Sequence, residues 1–198
     1  MITLTNSCIA CLLALQSLNM TILGISGSLR KGSYNTAALR AAQELLPQGV
    51  TLEILDLAPI PLYNEDIEPF PPAVQVLRER IAQSDALLIA TPEYNHSIPG
   101  VLKNALDWAS CPPNPPCANK PGAIFGASTG RFGTLRAQLH LREICTALDM
   151  LVLPKPEVFI AQAPEKFDAH GRLVDAQTRE RLRALLEALV AWTERFKT

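Results

Sequence analysis

The sequence has almost no net charge with which to attract a partner: 18 Lys and Arg stand against 19 Asp and Glu, a formal charge of −1. So even a balance gives no long-range pull toward nucleic acid or an anionic membrane surface, so neither is an expected partner and any anion site must be built locally. Nor is there an apolar run of the roughly 20 residues that a bilayer-crossing helix requires, so no membrane span is expected. Cysteine is scarce and follows no paired framework. The five residues Cys8, Cys11, Cys111, Cys117 and Cys145 point to a reducing, cytoplasmic compartment. Cys8 and Cys11 form a C-x-x-C, but ahead of the first strand, where it cannot open a helix as a thioredoxin-like site would, and no second Cys or His pair follows at zinc spacing. The histidines His96, His140 and His170 offer no metal-binding spacing either, so no metal is expected. Both standard nucleotide loops are missing: there is no G-x-G-x-x-G, and Lys31-Gly32-Ser33 reverses the Gly-Lys order that a Walker loop needs.

What is present is an ordinary globular composition, 48% hydrophobic and 19% charged over 198 residues, enough for one domain with a full core. SCIACLLALQSLN has the look of a signal-peptide core, yet no Lys or Arg precedes it and no small-x-small cleavage site follows. Because Met20 stands directly before a clean strand, residues 1–19 are expected to be an extension, disordered or upstream of the functional start, with the domain at 20–198. From there apolar β-rich runs alternate with segments of helical period, the pattern of an α/β fold. Strands are expected at 21–26, 50–57, 86–92, 121–128 and 150–154, helices at 36–46, 73–84, 101–110, 135–148 and 175–196, with 156–172 as an excursion. That succession matches a flavodoxin-like three-layer sandwich with a five-stranded parallel sheet in the order 2-1-3-4-5.

Three polar, glycine-containing stretches fall at the carboxyl ends of strands one, three and four, where open parallel sheets bind ligands. The first, GSLRKGSYNT, offers Ser28, Ser33, Asn35 and Thr36 as donors and Arg30 as a cation just before a helix, whose free amides favour a phosphate monoester. Ser33, Asn35 or Thr36 equally suits the cap of that helix; Arg30 and Ser28 lie outside any cap and favour a ligand. The second, TPEYNHSIPG, is stiffened by Pro92 and Pro99, and can turn its amides toward the edge of a planar heterocycle while Tyr94 covers a face. In the third, ASTGRFG, small residues and bare backbone can approach a flat ligand, with Arg131 within reach of negative charge. Cys111 and Cys117 bracket CPPNPPC, a proline-rich surface loop that a disulfide would close on oxidation, and Trp108 and Trp192 read as packing residues.

GISGSLRKGSYNTAAL, LLIATPEYNHSIPGVLKNALDW and GASTGRFGTLRAQLHLR resemble the motifs of the NADPH-dependent FMN reductase family, small flavodoxin-like flavoproteins that include chromate and quinone reductases. The resemblance covers about residues 20–196. It implies that Ser28, Arg30, Ser33 and Asn35, with Thr36 adjoining, cradle the FMN phosphate. Pro92, Glu93, Tyr94 and Asn95 would lie along the isoalloxazine and ribityl chain, and Ser128, Thr129, Gly130 and Arg131 would close the other side. It further implies an FMN-dependent oxidoreductase that passes electrons from NADPH or NADH to a small-molecule acceptor such as a quinone or chromate in a ping-pong cycle. No catalytic side chain is needed, because the flavin carries the chemistry. A homodimer or homotetramer is implied as well. A flavodoxin-like electron carrier is the alternative that near-neutral charge argues against, since such carriers are strongly acidic; a flavin-free nucleotide binder is the other.

Overall fold

A computed structural model describes residues 19–197. The expected extension, apart from its last residue, and the Cys8-x-x-Cys11 within it lie outside the described residues. Strand β1 (Met20–Ser26) buries all but Thr21, so it starts one residue earlier than expected, with Met20 itself a core residue. After β2 (Val50–Leu55), β3 (Ala86–Ala90) and β4 (Pro121–Ala127) are buried along their whole lengths. Runs with no wet face belong in the middle of a parallel sheet covered on both sides. Side chains alternate as the pleat demands: Leu88 and Ala90 enter one core, Leu87 and Ile89 the other. Helices α1 (Tyr34–Leu45) and α5 (Ala176–Glu194) close the first core. The second is closed by α2 (Pro72–Gln83), α3 (Gly100–Ser110) and α4 (Leu135–Ala147). The result is the three-layer sandwich.

The fifth strand position is shared. β5 (Leu151–Val152) pairs with Pro121 and Gly122 at the start of β4, and β6 (Val158–Ile160) pairs with Phe125 to Ala127 at its end, both in parallel. The order is β2-β1-β3-β4-β5, with β6 continuing on the same flank of β4. The stretch expected as an excursion therefore contains sheet. Pro154 and Pro156 account for the break, because neither has an N–H to give to the ladder.

The long connection at 56–71 folds across α3. Pro61 O accepts from Asn104 Nδ2 (2.8 Å) and from Trp108 Nε1 (2.9 Å), while the rings of Tyr63 and Phe70 meet Trp108 edge-on. Arg78 stacks on Phe70 and donates to the carbonyls of Trp108, Cys111 and Pro113, holding the C-terminus of α3. Cys111, Cys117 and Cys145 are free thiols. Burial pushes Cys117 up to about 11 and Cys145 up to about 12, which leaves both as inert core residues. No described helix is long and apolar enough to cross a membrane.

Candidate active site

Strands β1, β3 and β4 are neighbours, and their registers bring Ser26 beside Ala90 and Ala90 beside Phe125. The loops that leave them must then share one rim. Loop 1 (27–33), loop 3 (91–99) and loop 4 (128–134) enclose a cavity of about 120 Å³. Its lining comes from all three: Ser28, Arg30 and Ser33 with Tyr34 and Asn35 behind them, then Pro92, Glu93 and Tyr94, then Ala127, Ser128 and Thr129.

Loop 1 leads into α1, whose N-cap is Ser33: its Oγ accepts from Thr36 N at 3.3 Å, which starts the helix two residues before the expected position. Among the described residues the amides of Tyr34 and Asn35 have no acceptor, as the first turn of a helix dictates, and they open toward the cavity with the positive end of the helix dipole. Asn35 itself is buried, and its amide closes a two-way bridge: Nδ2 donates to Ala127 O (2.9 Å) and Oδ1 accepts from Ala127 N (2.8 Å). Its side chain thus ties loop 1 to the end of β4. Thr36 pairs its hydroxyl with Ser26 Oγ at 2.8 Å and lines a neighbouring cavity instead of this one.

Loop 3 is a hairpin turn. Tyr94 N and Ser97 N donate to each other's carbonyl at 3.0 Å, and Asn95 and His96 take φ of 50° and 64°, the signature of a type I′ turn, in which asparagine is favoured. The turn holds the Tyr94 ring 46% exposed at the cleft. Pro99 is the N-cap of α3. Glu93 reaches across to α4: Oε2 accepts from the backbone N of Arg136 (3.0 Å) and Ala137 (3.3 Å), and Oε1 pairs with the Arg136 guanidinium. Burial works to raise the Glu93 pKa, but the Arg136 side chain and the two helix amides outweigh it and hold the carboxyl below its ordinary range. Nearby, His140 Nδ1 and Ser97 Oγ stand 3.0 Å apart and join the same two elements.

Loop 4 is stitched from behind by the segment after β6: Ser128 N donates to Ile160 O, Gln162 N to Gly130 O and Ala163 N to Ser128 O. Its other amides, at 129–134, have no acceptor among the described residues. Gln138 secures the loop's far end by donating to Gly133 O and Val158 O. Two glycines allow the close packing beneath. A Cβ on Gly126 would collide with Thr134 and the Thr91 carbonyl, and one on Gly133, at φ 56°, would come within 2.7 Å of the Phe159 backbone. Gly130 is different: a Cβ there would meet only Ser128 Oγ, at 4.0 Å, among the described residues, and its φ needs no glycine, so packing among those residues does not explain the bare backbone.

Most of the residues singled out from the sequence therefore come together, while Asn95, Gly130 and Arg131 stand on the exposed outer parts of their loops. Sequence reasoning passed over Arg136 and Gln138, and gave no role to Ala127 and Tyr34 within the stretches it singled out. One signal was available: an arginine in the first turn of a helix opposes the dipole, and its presence in GTLRAQ asks for an acidic partner.

The NADPH-dependent FMN reductase family model matches residues 20–165, which include all three loops. The chain belongs to this family. It is an NAD(P)H-dependent oxidoreductase whose cofactor is FMN. An NAD(P)H-dependent FMN reductase of Pseudomonas aeruginosa is 56% identical over 90% of this chain and 98% of its own. An NAD(P)H:quinone oxidoreductase of Solanum tuberosum is 46% identical over 89% and 94%. Among solved structures, FerB of Paracoccus denitrificans, a flavoenzyme NAD(P)H:acceptor oxidoreductase, superposes with a TM-score of 0.82 at 35% identity, covering 89% of this chain and 98% of its own.

Proposed function

We propose that the protein passes electrons from NAD(P)H to a quinone at the rim where loops 1, 3 and 4 meet. The observation that carries this is the set of donors around the shared cavity that have no acceptor among the described residues: the amides of Tyr34 and Asn35 with the Ser28 and Ser33 hydroxyls and Arg30 on one side, and the amide of Thr129 on the other. That donor set fits FMN. Loop 1 and the α1 N-terminus suit its dianionic phosphate. The enclosed 120 Å³ would not hold a tricyclic ring as well; Tyr94 and the bare backbone of loop 4, with Arg131 beyond, would hold the ring at the open side. When bound, FMN supplies the hydride-accepting and electron-delivering chemistry. The protein's part is to orient and to tune: Pro92 and the hairpin fix loop 3, and the amides of Glu93 and Asn95, which have no acceptor among the described residues, would favour negative charge developing beside them.

A ping-pong order is part of the proposal: the nicotinamide and the acceptor would take turns at the open side of the cleft. The relatives named for quinone reduction support a quinone as acceptor, and chromate is a second candidate of the same reading. A homodimer or homotetramer is part of the proposal, supported by Phe132 on loop 4 and Leu139 on α4, large apolar residues that are 52% and 50% exposed. Purified protein should absorb in the visible as a flavin, bleach with NADPH and recover with a quinone, and initial rates at several quinone concentrations should give parallel double-reciprocal lines. Colourless protein that takes up no FMN would defeat the reading; intersecting lines would defeat the ping-pong order alone.

A further inference from the structure

On the outer side of loop 1 lies a second cavity, of about 410 Å³, which shares Ser28 and Arg30 with the first and so is separated from it by the thickness of one loop. Its rim carries Arg30, Lys31 and Arg40, and none of these three forms an ion pair or side-chain hydrogen bond among the described residues. In a chain whose total charge is −1, three unneutralised cations on one rim form a marked local excess. A single FMN phosphate in the inner cleft, next to Arg30, would leave Lys31 and Arg40 without an ion-pair partner among the described residues. The single carboxylate of the cavity is Asp56, at the end of β2, with one oxygen accepting from Ala58 N at 2.9 Å. The walls between are apolar, from Leu29, Ile54, Leu55 and Leu57, and Leu29 is 53% exposed.

We propose that this outer cavity binds the adenosine 2′-phosphate end of NADPH, with Lys31 and Arg40 on the phosphate and the apolar walls against the adenine, and so sets the preference for NADPH over NADH. The inference rests on the oxidoreductase reading above. A flat heterocycle joined to a dianion asks for an apolar slot with a cationic rim, and Arg is the side chain best suited to grip a phosphate with two parallel bonds. Asp56 opposes this. A carboxylate at the end of the second strand suits a free ribose hydroxyl, whereas arginine there suits the 2′-phosphate, a division of labour familiar from dinucleotide sites in open α/β sheets. Here Lys31 and Arg40 outnumber Asp56, which decides for the phosphate. A ligand extending from the nicotinamide position over the inner cleft crosses loop 1 at Ser28 and Arg30, the residues the two cavities share.

The test uses the flavin-bearing protein and two independent readouts. In the first, kcat/KM is measured with NADPH and with NADH at fixed quinone. The wild type should favour NADPH, and the double variant Lys31→Gln/Arg40→Gln should lose about tenfold or more of that ratio, through the NADPH arm, with its flavin content and spectrum unchanged. Asp56→Asn should move the ratio the other way. In the second, 2′,5′-ADP and 5′-ADP are titrated calorimetrically, without turnover. The 2′-phosphorylated probe should bind more tightly to the wild type, and the difference should vanish in the double variant. A ratio that is unmoved by all three substitutions, or equal binding of the two probes to the wild type, overturns the assignment. Absence of turnover with either donor would strike the oxidoreductase reading instead, and the calorimetric comparison would still decide the cavity.

Discussion

Loops 1 and 3 look alike in sequence, each a polar stretch released by an apolar strand, yet they treat their polar groups in opposite ways. Loop 3 turns inward on the protein: Glu93 is held by the α4 amides and Arg136, the Tyr94 and Ser97 backbones hold each other, and Ser97 Oγ meets His140. Among the described residues, loop 1 keeps amides at the start of α1 and a cationic edge that have no internal partner. Polarity at a strand end thus marks two different jobs, a braced wall and a ligand grip. What separates them is whether each donor already has an acceptor in the protein. Loop 4 is the common anchor, tied to loop 1 by Asn35 and joined to loop 3 by Glu93 through α4.

The sharpest way to break this contrast is to cut the ties. Asn35→Ala removes both bonds to Ala127 and leaves a buried N–H and C=O unpaired, which should cost about 3 kcal/mol of unfolding free energy and weaken FMN retention through the displaced loop; chemical denaturation and flavin fluorescence read the two effects. Glu93→Gln comes next, at about 2 kcal/mol, since it removes the charge that two helix amides and a guanidinium converge on. Its pH dependence is diagnostic. A carboxyl held below its ordinary range in the folded state gives stability that is complete above that ordinary range and is lost as pH falls through the lower folded value. The wild type should therefore lose stability on acidification below about pH 4.5, and the variant should lack that part of the loss. Denaturation midpoints measured between pH 3 and pH 7 (about the range in which a carboxylate titrates) that stay parallel for the two proteins would show that Glu93 is no clasp.

The layered fold was legible because β1, β3 and β4 are apolar runs too short for helices, and because the three polar stretches each follow one of them. The split of the fifth strand was half legible, in Pro154 and Pro156, but the return of 158–160 to β4 depends on a partner more than thirty residues away. The ties escaped for the same reason. Asn35 answers to a backbone 92 residues distant and Glu93 to one 43 residues distant, and sequence order carries no record of such pairs. A cap and a phosphate donor are local roles that the sequence suggests for Asn35; the bridge of its side chain to Ala127 is a nonlocal one that it does not.

Arg30 probes the other half of the contrast. It is exposed and unpaired among the described residues, so Arg30→Ala should leave the apoprotein's stability within about 0.5 kcal/mol while weakening FMN binding about tenfold, a charge-assisted contact's worth. Equilibrium flavin titration beside a thermal melt separates the two. A destabilised protein with unchanged flavin affinity would reverse the assignment and make loop 1 a wall like loop 3.

The smallest effect is expected from Thr36→Val, and it asks whether loop 1 itself has two sides. The Thr36 hydroxyl faces Ser26, away from the shared cavity, and Ser26 Oγ keeps its bond from Ser28 N when that partner is lost. Valine preserves the shape, so the cost should be about 0.5–1 kcal/mol, with FMN affinity changed less than twofold. Thr36 follows Asn35 directly, but successive residues of a helix point about 100° apart, and Thr36 lines the neighbouring cavity. A tenfold fall in flavin affinity in this variant, matching Arg30→Ala, would mean that the cofactor phosphate sits on the outer side of loop 1, and the grip and the brace would then have to be assigned to opposite faces of the same turn.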